Sequence, residues 1–137
     1  MRRTITTLLT VCVLALPVAQ ATAAVKTTKK VVTKKFAGTA VQADRWGPLQ
    51  VTIVVRKTTT TTGTKRKVTR KITAVSVPTY PNHTDRSVYI NTQALPILKS
   101  EALQAQSAQI NLVSGATDSS NAFAQSLQSA ILQAKRA

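Results

Sequence analysis

The feature that most constrains the fold is an alternating stretch near the middle of the chain. From residue 49 to residue 55 every odd position carries a large aliphatic side chain, namely Leu49, Val51, Ile53 and Val55. Side chains alternate between the two faces of a β-strand, so this spacing predicts a strand with one predominantly apolar face. An apolar sheet face has to be covered by a second layer of structure.

Two further strands are predicted beside this one, over residues 36–41 and residues 72–77. Between the last two strands, residues 57–71 are rich in Thr, Lys and Arg, and Gly63 is the natural turn residue. Threonine favours extended structure, so the segment predicts a protruding basic hairpin insert. It has no apolar face to fix the strand register, and a flexible loop is therefore the alternative.

Helical spacing dominates the second half of the chain. One apolar face includes Ala94, Leu98 and Ala102, and a second includes Phe123, Leu127, Ala130, Ile131 and Ala134. Proline is tolerated in a first helical turn, so Pro96 favours a start of the first helix between Thr92 and Leu95. Two helices covering a small antiparallel sheet with an extended basic hairpin make an α+β fold.

Positive charge is concentrated in the first half of the chain. Residues 26–71 hold 13 Lys or Arg against one acid, Asp44. Residues 25–35 carry few core-sized side chains and repeated like charges, so we expect a basic linker without fixed structure. In an exported protein, this charge suggests attraction to anionic cell-envelope polymers or a membrane surface rather than to nucleic acid, and a role in solubility alone is the alternative.

The first 24 residues have the pattern of a secretory signal peptide. Arg2 and Arg3 precede an apolar run, and a small-residue region ends at Ala23 and Ala24. The run is shorter than the roughly 20 residues of a spanning helix, although a retained anchor is the alternative. We therefore expect an exported protein that is extracellular or associated with the cell envelope. The only cysteine, Cys12, lies in this leader, so the mature chain would have no disulfide or thiolate site.

Groups for acid–base or metal chemistry are scarce. His83 is the only histidine, and the chain has four acidic residues in total. Neither a metal site nor a pair of catalytic carboxylates can be assembled from this set, and no phosphate-loop or dinucleotide fingerprint is present. No catalytic residue is assigned, and an autonomous enzyme is less expected than a carrier or binding domain.

The residues from 107 to 120 predict a strand, a turn and a helix in succession. Residues 110–113 form a short apolar run, Gly115 permits a backbone conformation closed to other residues, and residues 118–121 are helix N-cap candidates. Such a turn directs backbone N–H groups and the positive end of a helix dipole at one point, where phosphate is a common ligand. Thr117 lies at that point.

The sequence Ser-Gly-Ala-Thr at residues 114–117 resembles the motif of the FMN-binding domain family, which includes flavin-carrying subunits of sodium-pumping membrane oxidoreductases. The preceding segment adds to the resemblance through Arg86-Ser87, Ile90-Asn91 and Ala94-Leu95-Pro96. The likeness covers about residues 37–133. It implies that residues 36–137 form an FMN-binding domain, with the basic hairpin as an insert at residues 57–71.

The resemblance implies that a flavin transferase joins FMN to Thr117 by a phosphoester bond. It also implies that the motif residues Ser114, Gly115 and Ala116 surround the cofactor, with Asn111 and Ser119 beside them. The family usually has aspartate where this chain has Asn111. The implied function is extracytoplasmic electron transfer by covalent FMN, and the sequence names no redox partner. The alternative is a non-flavinated basic module bound to anionic envelope polymer or lipid.

Aromatic and polar residues near the motif are candidates for secondary contacts. Trp46, Tyr80 and Tyr89 could stack on the flavin ring, and each could equally be an ordinary packing residue. Ser87 and Asn91 could support the site by hydrogen bonds or cap local turns.

Overall fold

The computed structural model describes residues 25–137, and the predicted signal peptide lies outside them. The strands are β1 (Thr27–Ala37), β2 (Val41–Gln42), β3 (Pro48–Thr62) and β4 (Lys65–Thr79), and a single 3-10 turn (Asp44–Trp46) precedes β3. The helices are α1 (Asp85–Ala105) and α2 (Thr117–Arg136).

β3 is the centre of a four-stranded antiparallel sheet, because it pairs with each of the other three strands. β1 pairs with β3 from Ala37 opposite Thr52 to Thr27 opposite Thr62. β4 follows β3 through a two-residue turn in which Gly63 has φ 59°, a conformation that favours glycine. The predicted basic hairpin is thus a regular pair of strands rather than a flexible loop.

The alternating residues of β3 form the sheet side of the hydrophobic core. Leu49, Val51, Ile53 and Val55 are all buried. α2 contributes Phe123 and Leu127, and α1 contributes Leu95 and Leu98. Both helices cover one face of the sheet, which confirms the predicted α+β fold. None of the helices in the described range 25–137 is both long and apolar enough to cross a membrane.

The expectation of an unstructured basic linker is wrong, because residues 27–37 form β1. Most of these side chains are exposed, so the sequence has no apolar pattern that would indicate a strand. β1 is ordered because all eleven of its residues pair with residues along the edge of β3. The predicted strand over 36–41 is accordingly divided between the end of β1 and the two residues of β2.

The predicted start of the first helix is also wrong, because α1 begins at Asp85 and contains Pro96 in its interior. Thr84 and Ser87 form a capping box that fixes the early start. Proline lacks the N–H that would bond the carbonyl of Thr92. Thr92 and Pro96 are both exposed, so water can satisfy this carbonyl.

Candidate functional site

The motif forms a tight turn at the start of α2. Gly115 has φ 82°, in the left-handed region, and the N–H of Ala116 donates to the carbonyl of Val113 at 3.0 Å. Residues 110–113 are not a strand, because they pair with no other strand in the described chain. The motif is therefore held by a loop and a helix.

α2 begins at Thr117 with no side-chain cap, so the cap predicted from residues 118–121 is wrong. Asp118 lies inside the first turn of the helix. The Ser120 hydroxyl donates instead to the carbonyl of Ala116 at 2.7 Å and accepts from the N–H of Val113 at 3.0 Å. The first-turn N–H groups of α2 consequently have no side-chain acceptor of their own.

Ser120 is a residue whose role the sequence did not reveal. It is fully buried, and its two hydrogen bonds join the two sides of the turn. In the sequence, the only indication of this role is that a serine follows the motif threonine by three positions. Serine at such a position is equally typical of a helix cap. Ser120 fixes the turn that presents Thr117 to solvent.

A small pocket of about 40 Å³ lies at this turn. Its wall includes Gly115, Ala116, Thr117, Asp118 and Ser119 from the motif side, and Ser87, Ile90, Asn91 and Trp46 from elsewhere in the chain. Thr117 is exposed, whereas Ser119 is buried. The fold therefore brings four of the predicted site residues together around one opening with three of the residues predicted to stack on the ligand or support the site, namely Trp46, Ser87 and Asn91.

Asn91 is the most informative of the residues contributed by α1. It is 1% exposed, and its Nδ2 donates to the carbonyls of Pro81 and Ser87, both at 2.9 Å. These two acceptors fix the orientation of the amide, because only the nitrogen can donate. Its Oδ1 is the one buried side-chain nitrogen or oxygen in residues 25–137 without a hydrogen-bond partner. Asn91 also lines the pocket, so this unsatisfied acceptor is a candidate partner for a ligand that donates a hydrogen bond.

The aromatic candidates occupy different positions. Trp46 lines the pocket with Thr117, and the guanidinium carbon of Arg45 lies 5.0 Å from the centre of its ring. Tyr89 is exposed and lines an adjoining pocket of about 170 Å³ together with Ser114. Tyr80 packs against the hydrophobic core and lines neither pocket. Of the three aromatic candidates, Trp46 and Tyr89 thus line the pockets beside the motif.

The two pockets form one continuous surface, since Ile90, Gly115 and Ala116 line both of them. Ser87 contributes to the smaller pocket but is committed to the capping box, where its hydroxyl donates to the carbonyl of Thr84 at 2.9 Å. Ser87 therefore acts mainly by placing the start of α1.

Asn111 lies apart from this surface. It is exposed, lines neither pocket, and donates from Nδ2 to Glu101 Oε2 at 3.2 Å. His83 is an exposed loop residue that does not line them either. In the described part of the chain no three His, Cys, Asp or Glu side chains cluster closely enough to hold a metal ion.

Comparison with protein-family models and with curated proteins gives no match for this chain. The likeness of residues 114–117 and of the segment before them to the FMN-binding domain family therefore remains a resemblance of sequence.

Proposed function

We propose that this protein carries FMN covalently on Thr117 and transfers electrons outside the cytoplasmic membrane after export. The supporting observation is that Thr117, the uncapped start of α2 and Asn91, whose buried Oδ1 has no hydrogen-bond partner, all belong to the wall of one pocket. Each of these three features is suited to a different part of a phosphate-bearing ligand that also has hydrogen-bond donors.

The start of α2 suits the phosphate. Its first-turn N–H groups have no side-chain cap, and the helix dipole places partial positive charge there. Thr117 is exposed at this point, so its Oγ1 is accessible to a modifying enzyme. Asp118 is also exposed, and solvent screening limits its repulsion of a phosphate.

The remainder of the surface suits the organic part of FMN. Asn91 Oδ1 can accept a hydrogen bond from a ribityl hydroxyl or from the ring N–H. The pocket of about 40 Å³ is far smaller than the roughly 300 Å³ or more of pockets that enclose a whole organic ligand. The ring system would therefore lie largely outside it, where Trp46 and Tyr89 offer aromatic surfaces.

In such a carrier the flavin supplies the redox chemistry, and the protein supplies attachment, orientation and electrostatics. Attachment forms a bond between Thr117 Oγ1 and phosphorus and breaks the bond from phosphorus to the leaving group of the flavin donor. The hydroxyl proton has to pass to a base. No histidine lines the pocket, and the only carboxylate that does is that of Asp118, so we assign activation of the hydroxyl to an external flavin transferase.

Covalent loading is tested by co-expressing the protein with a flavin transferase and measuring intact mass and in-gel flavin fluorescence after denaturation. The expected mass gain is that of FMN less one water. It should be lost in Thr117→Ala and retained in Ser119→Ala, which removes a neighbouring hydroxyl. An unmodified wild-type protein, under conditions where a known acceptor domain is labelled, would contradict the proposed function.

A further inference from the structure

The long strands β1, β3 and β4 continue as a three-stranded ribbon past the end of α2. Lys57 marks this end, because its Nζ donates to the main-chain oxygen of Ala137 at 2.9 Å. The strand pairing continues from there to Thr62 opposite Thr27 and Lys65. At about 3.3 Å per residue, the five further residues of β3 extend the ribbon by roughly 17 Å.

The ribbon strands are uniformly basic. β1, β3 and β4 carry 11 Lys or Arg residues and no Asp or Glu. Most of these side chains are exposed. The charges are therefore not neutralised by acidic neighbours on the same strands, and they are accessible to an anionic partner.

The strand register divides these cations between the two faces of the ribbon. Residues directly opposite one another in an antiparallel pair share a face. The face on the helix side carries Lys30, Lys34, Lys57, Arg66 and Arg70, and the opposite face carries Lys29, Lys35, Arg56, Lys65, Lys67 and Lys71. Both faces are thus strongly cationic.

The helix-side face differs from the opposite face because it contains a groove of about 180 Å³ beside the end of α2. Val32, Phe36, Val55 and Ala134 give it apolar walls, and the five helix-side cations surround them. Lys57 and Arg70 donate to main-chain oxygens at the end of α2. Lys30, Lys34 and Arg66 make no such contact with the helix end, which leaves three cations along one groove.

We propose that this groove binds a linear, phosphate-bearing polyanion, laid along the helix-side face of the ribbon. The cations are spread along the strands over several residues rather than clustered at one point, so they match a ligand whose charges are also spread along its length. A polymer with repeated charges can contact them in succession and release bound counterions, as phosphate backbones do. This site is separate from Thr117 and does not depend on flavin attachment.

A membrane surface is a poorer fit to the same features. Binding at a bilayer interface uses large apolar side chains such as Trp, Phe and Leu. The exposed large hydrophobic residues on the ribbon strands are Val31 and Val68, which are both short.

Single-stranded nucleic acid also fits less well. Proteins that bind it stack successive bases on aromatic side chains. Phe36 is the only aromatic residue on β1, β3 and β4, and it is half-buried against the core. The chemistry of the groove therefore favours a polymer whose anionic groups, rather than bases, make the contacts.

The experiment measures binding of fluorescently end-labelled long-chain inorganic polyphosphate to the purified protein over a range of salt concentrations. The groove variant combines Lys30→Gln, Lys34→Gln and Arg66→Gln. The matched control combines Lys29→Gln, Lys35→Gln and Lys65→Gln on the opposite face, and it removes the same charge. Neither variant alters Lys57 or Arg70, whose contacts hold the end of α2.

We expect the groove variant to lose about tenfold or more in affinity and to reduce the slope of log K against log salt by about 2, since three phosphate contacts are removed. The control should lose less than about threefold. Equal losses in both variants would show that the groove is not the site. Tighter binding to anionic phospholipid vesicles than to polyphosphate, or equal competition by orthophosphate at the same phosphate concentration, would overturn the polymer proposal. Each result is obtained on unmodified protein and so leaves the flavin proposal to its own test.

Discussion

The side-chain hydroxyl of Ser126 accepts a hydrogen bond from the backbone N–H of Val51 at 2.8 Å. Val51 lies on β3 between the last residue paired with β1 and the first paired with β2. A helix side chain thus satisfies a backbone group at the break between two strand pairings. Gly38 permits this approach, because a Cβ at that position would overlap the carbonyl oxygen of Ser126.

Replacing Ser126 by alanine should destabilise the fold without altering the exposed surface. The variant leaves the buried N–H of Val51 without an acceptor, which costs about 1–3 kcal/mol. Ser129→Ala is the matched control, because Ser129 bonds Thr39 at an exposed position. Urea denaturation should show the larger loss in unfolding free energy for Ser126→Ala. Equal losses in the two variants would contradict this role for the Val51 contact.

The core could be predicted from the sequence because its periodicities are strong. The odd positions of β3 are buried as their alternation predicts, and Phe123 and Leu127 face the sheet from α2. Both patterns follow from repeat lengths that local sequence displays directly. These two patterns together predict an antiparallel sheet with a layer of helices on its apolar face.

The elements that sequence reasoning missed depend on partners distant in the chain. β1 has almost no buried face and is ordered by pairing with β3, which no pattern within residues 27–37 reveals. The early start of α1 depends on the capping box of Thr84 and Ser87, which competed with the stronger signal of Pro96. The sequence indicated Asn91 as a candidate, but it did not show that Oδ1 lacks a hydrogen-bond partner. The amide is oriented by the carbonyl of Pro81, which lies ten residues earlier in the chain.

Deleting residues 25–35 should destabilise the protein rather than remove a dispensable linker. The deletion takes away most of β1 and leaves the long edge of β3 without its pairing partner. Exposed edges of this kind promote association between chains. We expect faster hydrogen exchange in residues 54–62 and concentration-dependent self-association by light scattering. Exchange rates in that segment equal to those of the intact chain would show that β1 adds little to the sheet.

The unpartnered oxygen of Asn91 leads to a prediction about flavin mobility in the loaded protein. Asn91→Ala should leave Thr117 modified, because Thr117 is exposed at the start of α2 and does not depend on the amide for access. The flavin would lose one acceptor, so its fluorescence anisotropy should fall. Asn82→Ala, at an exposed position outside the pocket, is the control.

Unchanged anisotropy in folded Asn91→Ala protein would show that Oδ1 does not contact the flavin. The variant also removes the donor to the carbonyls of Pro81 and Ser87, so a moderate loss of stability is expected. Circular dichroism at the measuring temperature separates that loss from a change at the flavin.

The last prediction concerns Asn111, a position where the FMN-binding domain family that the motif resembles usually has aspartate. Asn111 donates to Glu101, so Asn111→Asp exchanges a hydrogen bond for two neighbouring carboxylates. Asn111 is exposed and the contact is at the surface, which limits the stability loss to about 1 kcal/mol or less. If the flavin transferase recognises the carboxylate, the modified fraction of Asn111→Asp should rise above that of the wild type.

Adding Glu101→Gln to Asn111→Asp removes the repulsion and keeps the new carboxylate. The double variant should therefore recover stability while retaining the higher modified fraction, measured by intact mass after a fixed reaction time. Glu101→Gln alone is the control for loss of the surface contact. Equal modified fractions in the wild type and both Asn111→Asp variants would show that the transferase does not read this position, consistent with its location outside the pockets around Thr117.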